Sequence, residues 1–324
     1  MEIIRTLAER SGVPALYMWA LGVLYLTGAV LLGSVAYKFR MYAKMNRQPE
    51  QRKNSVVDTM SMTAVLAACF PFMVTSSGRI DSGRETFLFF GLGIFLMLFG
   101  TGWHLKAKKD IGRFWSDQIE VQHEHRPVFS GAYALARHPM YGSLVLWGWG
   151  AALAFGNLPA FCIVTFVFLP MTAYRAAQEE KVLETVCPDY AFYRRNVGRL
   201  LPAFGGTAAL AVRVSAIVWF GWEIFAGITP AALFLLVFVH LALGYMLKPD
   251  NVAFSYRSKS GMMLVVYAAS LLYAPVYHFY WIIWAMFVYS LHGRCPCMRV
   301  YDKYHRCPCF ALLEKCLLKK DPRK

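Results

Sequence analysis

Two clusters of polar side chains, separated by apolar sequence, hold the residue types that could do chemistry in this chain. The first is the run Arg137-His138-Pro139-Met140-Tyr141-Gly142; the second is Arg175 followed by Glu179-Glu180. Proline is favoured at the first position of a helix, so Pro139 is expected to start one, and the free backbone N–H groups there form an anion site. A ligand carboxylate could rest on that terminus, with His138 and Tyr141 adding hydrogen bonds and Gly142 allowing close approach. The plainer reading of the same run is that Arg137 and His138 snorkel at an interface while Pro139 only caps a helix. Arg175 and Glu179 stand four apart, which suits a simple ion pair along a solvated helix face. Yet they follow directly on an apolar run ending at Tyr174, where ionisable groups are costly unless paired or functional. Both readings stay open on these residues alone.

The elements that must position the clusters are membrane helices. Of 324 residues 57% are apolar or aromatic and 16% charged, which excludes a soluble globular domain and leaves a polytopic, all-α integral membrane protein. Apolar runs of spanning length fall at about 14–36, 58–76, 86–103, 142–156, 158–174, 208–226, 231–247 and 262–292, giving seven to eight hydrophobic helices. The first is too long for a signal-peptide core and is expected to be retained. Runs 142–156 and 158–174 form a hairpin that crosses and returns, so both polar clusters are expected at one membrane face and can line one pocket.

Charge gives the orientation. Lys38, Arg40, Lys44, Arg47, Arg52 and Lys53 between the first two runs place that loop in the cytoplasm, and parity then puts both clusters there too. The net charge of +15 is read as membrane orientation and attraction to anionic headgroups, with no nucleic-acid partner. The run 262–292 breaks the parity, because a single crossing would leave the basic tail outside. Ala274-Pro275 near its middle favours two short helices re-entering the cytoplasmic leaflet over one tilted span.

Together the motifs resemble the isoprenylcysteine carboxyl methyltransferase family and its phospholipid methyltransferase relatives. The resemblance covers about Gly112 to Pro202. Its pieces are Trp115-Ser116; His125-x-x-Val128 with Ser130-Gly131-x-Tyr133; the Arg-His-Pro run; Gly156-Asn157; Glu179-Glu180-x-x-Leu183; and Tyr190-x-x-Tyr193-x-x-x-Val197-x-Arg199-Leu200-x-Pro202. No piece is specific alone; the order and spacing are. Arg126-Pro127 departs from the family's common small-Leu pair, and Val186-Cys187-Pro188-Asp189 stands where a Phe-Gly turn is usual.

The resemblance implies an S-adenosylmethionine-dependent membrane methyltransferase acting on the carboxylate of a prenylated cysteine or similar lipid-linked acid. It further implies that the cofactor is held by the loop His125, Arg126, Pro127 and Val128, by Tyr133, by His138, Pro139, Met140 and Tyr141, and by the pair Glu179-Glu180, chiefly the second. Gln118 matches a further cofactor contact. Arg175 matches the arginine that contacts the substrate carboxylate, and is the expected catalytic residue. The implied location is the endoplasmic reticulum in a eukaryote or the inner membrane in a bacterium, with the bilayer and the lipid-modified substrate as partners.

Methyl transfer to a carboxylate needs no general base, because the nucleophile is ionised at neutral pH. It needs positioning, and no metal has a part in it. A phospholipid N-methyltransferase would need its amine to lose a proton, and Arg175 suits that acceptor badly. A third possibility is a non-enzymatic scaffold.

Four segments follow: N-terminal helices over 1–110, the methyltransferase-like core over 111–204, further hydrophobic helices over 205–292, and a basic Cys-rich tail over 293–324. The tail carries Cys295-Pro296-Cys297 and Cys307-Pro308-Cys309, which could bind zinc, be acylated beside the membrane, or stay reduced; an external tail would favour disulfides instead.

Overall fold

The computed structural model describes residues 15–44, 49–53, 55, 57–74, 86–122, 128–187, 190–202 and 206–227. The expected spans 231–247 and 262–292, the Cys-rich tail, and His125, Arg126 and Pro127 lie outside the described residues. Two compact units divide the chain, one holding the described residues through 202 and the other those of 206–227.

In the first unit the helices are α1 (Ala15–Lys44), α2 (Thr59–Val74), α3 (Thr86–Ile111), α4 (Ala132–Leu135), α5 (Pro139–Ala154), α6 (Leu158–Ile163), α7 (Leu169–Val186) and α8 (Tyr190–Asn196). The fold is mostly helical, as expected, with one addition. Strands β1 (Pro49–Lys53) and β2 (Ile119–Gln122) pair antiparallel, Lys53 opposite Ile119 and Pro49 opposite Gln122, with an irregularity between Pro49 and Gln51. β1 shows no apolar alternation, the alternation of β2 (Ile119-Glu120-Val121-Gln122) covers only four residues, and their pairing joins segments far apart in sequence, so no local pattern announces it.

Among the described residues three helices are long and apolar enough to cross a membrane: Tyr17–Met41, Phe87–Phe114 and Leu158–Thr185. Thr59–Phe72 and Ile217–Ala226 are apolar but shorter. Side chains such as Leu26, Phe87, Phe95 and Phe166 stay exposed along these helices, as a lipid solvent allows. α3 runs eight residues beyond the expected end at 103, because Leu105 to Lys109 are good helix formers and Lys106 pairs with Asp110 one turn on.

Helices α3 and α5 approach closely through glycine. A Cβ on Gly150 would lie 2.7 Å from the Gly93 carbonyl, and one on Gly100 would lie 2.7 Å from that of Ser143. Small residues let two backbones pack where lipid supplies no hydrophobic drive between helices. Tryptophan N–H groups tie the neighbours, Trp147 donating to Thr27 at 2.9 Å and Trp149 to Thr165 at 3.0 Å.

The hairpin turn lies at Phe155-Gly156-Asn157. Asn157 is fully buried and caps α6, its Oδ1 accepting from the Ala160 N–H at 2.9 Å while its Nδ2 donates to the Phe72 carbonyl at 2.8 Å. From there the helix runs through a π turn at Val164–Phe168 into α7. Pro170 follows at once, and its missing N–H removes a regular i→i−4 bond, which accounts for the wider turn.

In the second unit α9 (Gly206–Ala226) buries Ile217, Phe220 and Ile224 along one face and exposes Val218, Trp222 and Phe225 on another.

Candidate functional site

Pro139 occupies the first turn of α5 and His138 is its N-cap, as the sequence implied. The chain before it runs beside a returning segment: the Arg137 N–H donates to the Gly198 carbonyl and the His138 N–H to that of Arg199, each at 2.8 Å. Gly142 permits this, since a Cβ there would overlap the Leu200 carbonyl. Upstream, Asp110 of α3 accepts from the Ala132 N–H at 2.8 Å and pins the loop leading to the motif.

The hairpin brings the two polar clusters into contact. His138 stands between two carboxylates, Nδ1 at 3.2 Å from Glu179 and Nε2 at 3.2 Å from Glu180. With an oxygen at each ring nitrogen, both act as donors and the ring is an imidazolium. Burial opposes that charge, but the hydrogen bonds and charges of Glu179 and Glu180 outweigh it and raise the pKa above its ordinary value.

The adjacent glutamates have different surroundings. Glu180 is buried and clamped by three cations: Arg137 at 3.0 Å, Arg199 at 2.7 Å and His138. Glu179 accepts from Arg175 Nε at 2.8 Å, from the Tyr141 hydroxyl and from His138, and it also lines a small cavity with Arg137 and His138. Glu180 does not line that cavity. The arrangement follows from helix geometry, because Arg175, Glu179 and Leu183 share one face of α7 while Glu180 is turned by about 100°.

Val128, Tyr133, His138, Met140 and Tyr141 line the same small cavity, so the structure gathers most of the described residues expected to hold a cofactor. Tyr190 and Tyr193 join them, and Tyr193 donates to the Tyr133 carbonyl at 2.6 Å. Sequence reasoning named Tyr190-x-x-Tyr193 as a piece of the family resemblance but did not place either in the site, although their same-face spacing could have marked them. The hydroxyls of Tyr133 and Tyr190 are buried with no hydrogen-bond partner among the described residues. Burial raises both phenols well above their ordinary pKa, leaving them neutral donors. Four cations, Arg137, His138, Arg175 and Arg199, face two carboxylates in this cluster. A ligand with a carboxylate and hydrogen-bonding heteroatoms fits that surplus and those unused donors.

Gln118 and Arg175 sit differently from the other expected residues. Gln118 accepts from the Ser55 N–H at 2.9 Å and does not line the small cavity. Arg175 is 2% exposed and also donates to two backbone carbonyls, Nη1 to Val57 and Nη2 to Asp117, each at 2.7 Å. It ties α7 to the loops before α2 and β2.

A second cavity, of about 600 Å³ and mostly apolar, lies between α1, α2 and α5. Met140 and Tyr141 line both cavities, so the two meet at the first turn of α5.

Residues 92–185 match the model of the isoprenylcysteine carboxyl methyltransferase (ICMT) family, reaching further into α3 than the motifs did and ending before Tyr190. No curated protein matches the chain.

Proposed function

We propose, on the premise that residues 92–185 form a domain of the isoprenylcysteine carboxyl methyltransferase family, that this membrane protein methylates the carboxylate of a lipid-linked acid such as a prenylated cysteine. The observation carrying this reading is the meeting, at Met140 and Tyr141, of a small cavity whose wall includes Arg137, His138 and Glu179 with a large apolar one. An enzyme joining a water-soluble methyl donor to a lipid acceptor needs that juxtaposition.

S-adenosylmethionine, when bound, supplies an electrophilic methyl group on a sulfonium. The residues to hold it are Val128, Tyr133, His138, Met140, Tyr141 and Glu179, joined by Tyr190 and Tyr193. The His138 imidazolium and the tyrosine hydroxyls suit a carboxylate, Glu179 suits an ammonium, and the aromatic faces suit a sulfonium. Glu180 and Arg175 act one layer behind, Glu180 keeping His138 charged and Arg175 orienting Glu179. Expulsion of water from the apolar cavity leaves the acceptor oxygen poorly solvated and more nucleophilic. An anionic acceptor also agrees with the cation surplus, which opposes a protonated amine.

The test uses detergent-purified protein with methyl-labelled S-adenosylmethionine, offering a farnesylated N-acetylcysteine and phosphatidylethanolamine as acceptors. Base-labile label on the cysteine acid is expected. Label on the phospholipid alone, or on neither, would refute the carboxylate assignment.

A further inference from the structure

The apolar cavity carries an unusual group at its polar end. Lys108 lines it, is 5% exposed, and has among the described residues one hydrogen bond, to Ser34 Oγ at 3.0 Å, with the Trp115 ring 5.6 Å from its ammonium. No carboxylate lies within ion-pair distance of it among the described residues. Asp117, which also lines the cavity, is engaged elsewhere, accepting from the Thr59 N–H at 3.0 Å. A buried ammonium with a hydroxyl and an aromatic face is under-compensated.

One helical turn earlier on α3 lies a second unfilled group. His104 is 3% exposed and lines the same cavity. Its Nδ1 is 3.0 Å from Ser143 Oγ and 3.3 Å from the Met140 carbonyl, an acceptor that requires Nδ1 to carry the proton. Nε2 is then a bare acceptor, buried and without a partner among the described residues. The cavity therefore offers a cation and a hydrogen-bond acceptor at one end, beside Met140, and apolar walls from Leu24 to Phe70 elsewhere.

From this geometry we infer that Lys108 reads the carboxylate of the lipid acid, with His104 Nε2 accepting a hydrogen bond from an N–H of the same head group, so that Lys108 determines specificity for the acid. The inference rests on the methyltransferase reading for the identity of the lipid. It assigns the acceptor's anion to Lys108 in place of Arg175, whose guanidinium is occupied by Glu179 and two backbone carbonyls and which lines neither cavity. The product ester, having lost its charge, would bind less well and leave.

The experiment compares binding of a farnesylated N-acetylcysteine and its methyl ester to wild type, Lys108→Met and Lys108→Arg in detergent, beside S-adenosylmethionine affinity and thermal stability. Wild type should prefer the acid by about tenfold to a hundredfold, the size of a charge-assisted hydrogen bond. Lys108→Met should lose the preference, raise KM for the acid by a similar factor, keep cofactor affinity, and be at least as stable as wild type because a buried charge is gone. Lys108→Arg should retain much of the preference. Absence of the preference in wild type, its survival in Lys108→Met, or unfolding of Lys108→Met would overturn the inference, the last by showing that the charge is structural. Acid preference with no S-adenosylmethionine binding would sustain Lys108 as an anion receptor and sink only the methyltransferase reading.

Discussion

Glu179 and Glu180 are chemically identical neighbours, and the fold predicts that their neutral replacements fail in different ways. Glu180→Gln removes the one carboxylate shared by Arg137, Arg199 and His138, leaving three cations packed together with a 3% exposed amide. Breaking a buried ion pair from one side costs about 3–5 kcal/mol, or roughly 6–20 °C of melting temperature for a chain of this order. Glu179→Gln sits at the cavity wall with a side chain 23% exposed, and its amide oxygen can still accept from Arg175 or Tyr141. Stability should fall by only about 1 kcal/mol, while S-adenosylmethionine affinity should drop roughly tenfold to a hundredfold as a charge-assisted contact is lost. The assay is thermal unfolding in detergent followed by calorimetric titration of both variants. A stable Glu180→Gln with cofactor binding lost, beside an unaffected Glu179→Gln, would invert the assignment and refute the reasoning.

Gly142→Ala should destabilise by about 1–3 kcal/mol or more through overpacking, because its Cβ meets the Leu200 carbonyl; a melting curve matching wild type would show that the segment 198–200 does not lie against α5. His138 has a raised pKa in the fold, so its charge stabilises fully below about pH 6.5 and that contribution disappears as pH rises through the raised value. The stability advantage of wild type over His138→Gln should accordingly shrink with rising pH, and an advantage that grew instead would exclude the imidazolium. Asn157→Ala should cost about 1–3 kcal/mol, since it removes the α6 cap and the donor to the Phe72 carbonyl; thermal melts check it, with a neutral result arguing against the hairpin turn.

Much of this arrangement was legible before any coordinates. A bilayer forces backbone polar groups to pair within each segment, so apolar runs of sufficient length read as helices, and the hairpin length alone places His138 and Glu179 at one end. Pro139 as a helix start needed only its fixed φ and missing N–H. The ordered motifs pointed to the methyltransferase family because spacing survives in sequence.

Only the tertiary structure decided which polar group faces which cavity. Two identical glutamates side by side on α7 carry no local mark of which way each turns, so nothing in the sequence says that Glu179 meets the cavity while Glu180 turns into Arg137 and Arg199. The saturation of Arg175 depends on carbonyls of Val57 and Asp117, which any residue type could supply, and is invisible in side-chain letters. Lys108 lies beyond the apolar run that ends at about 103, and only the continuation of α3 through it brings its side chain to the apolar cavity. Sequence states which groups can pair or titrate; burial and partners, which set their energies, come from segments distant along the chain.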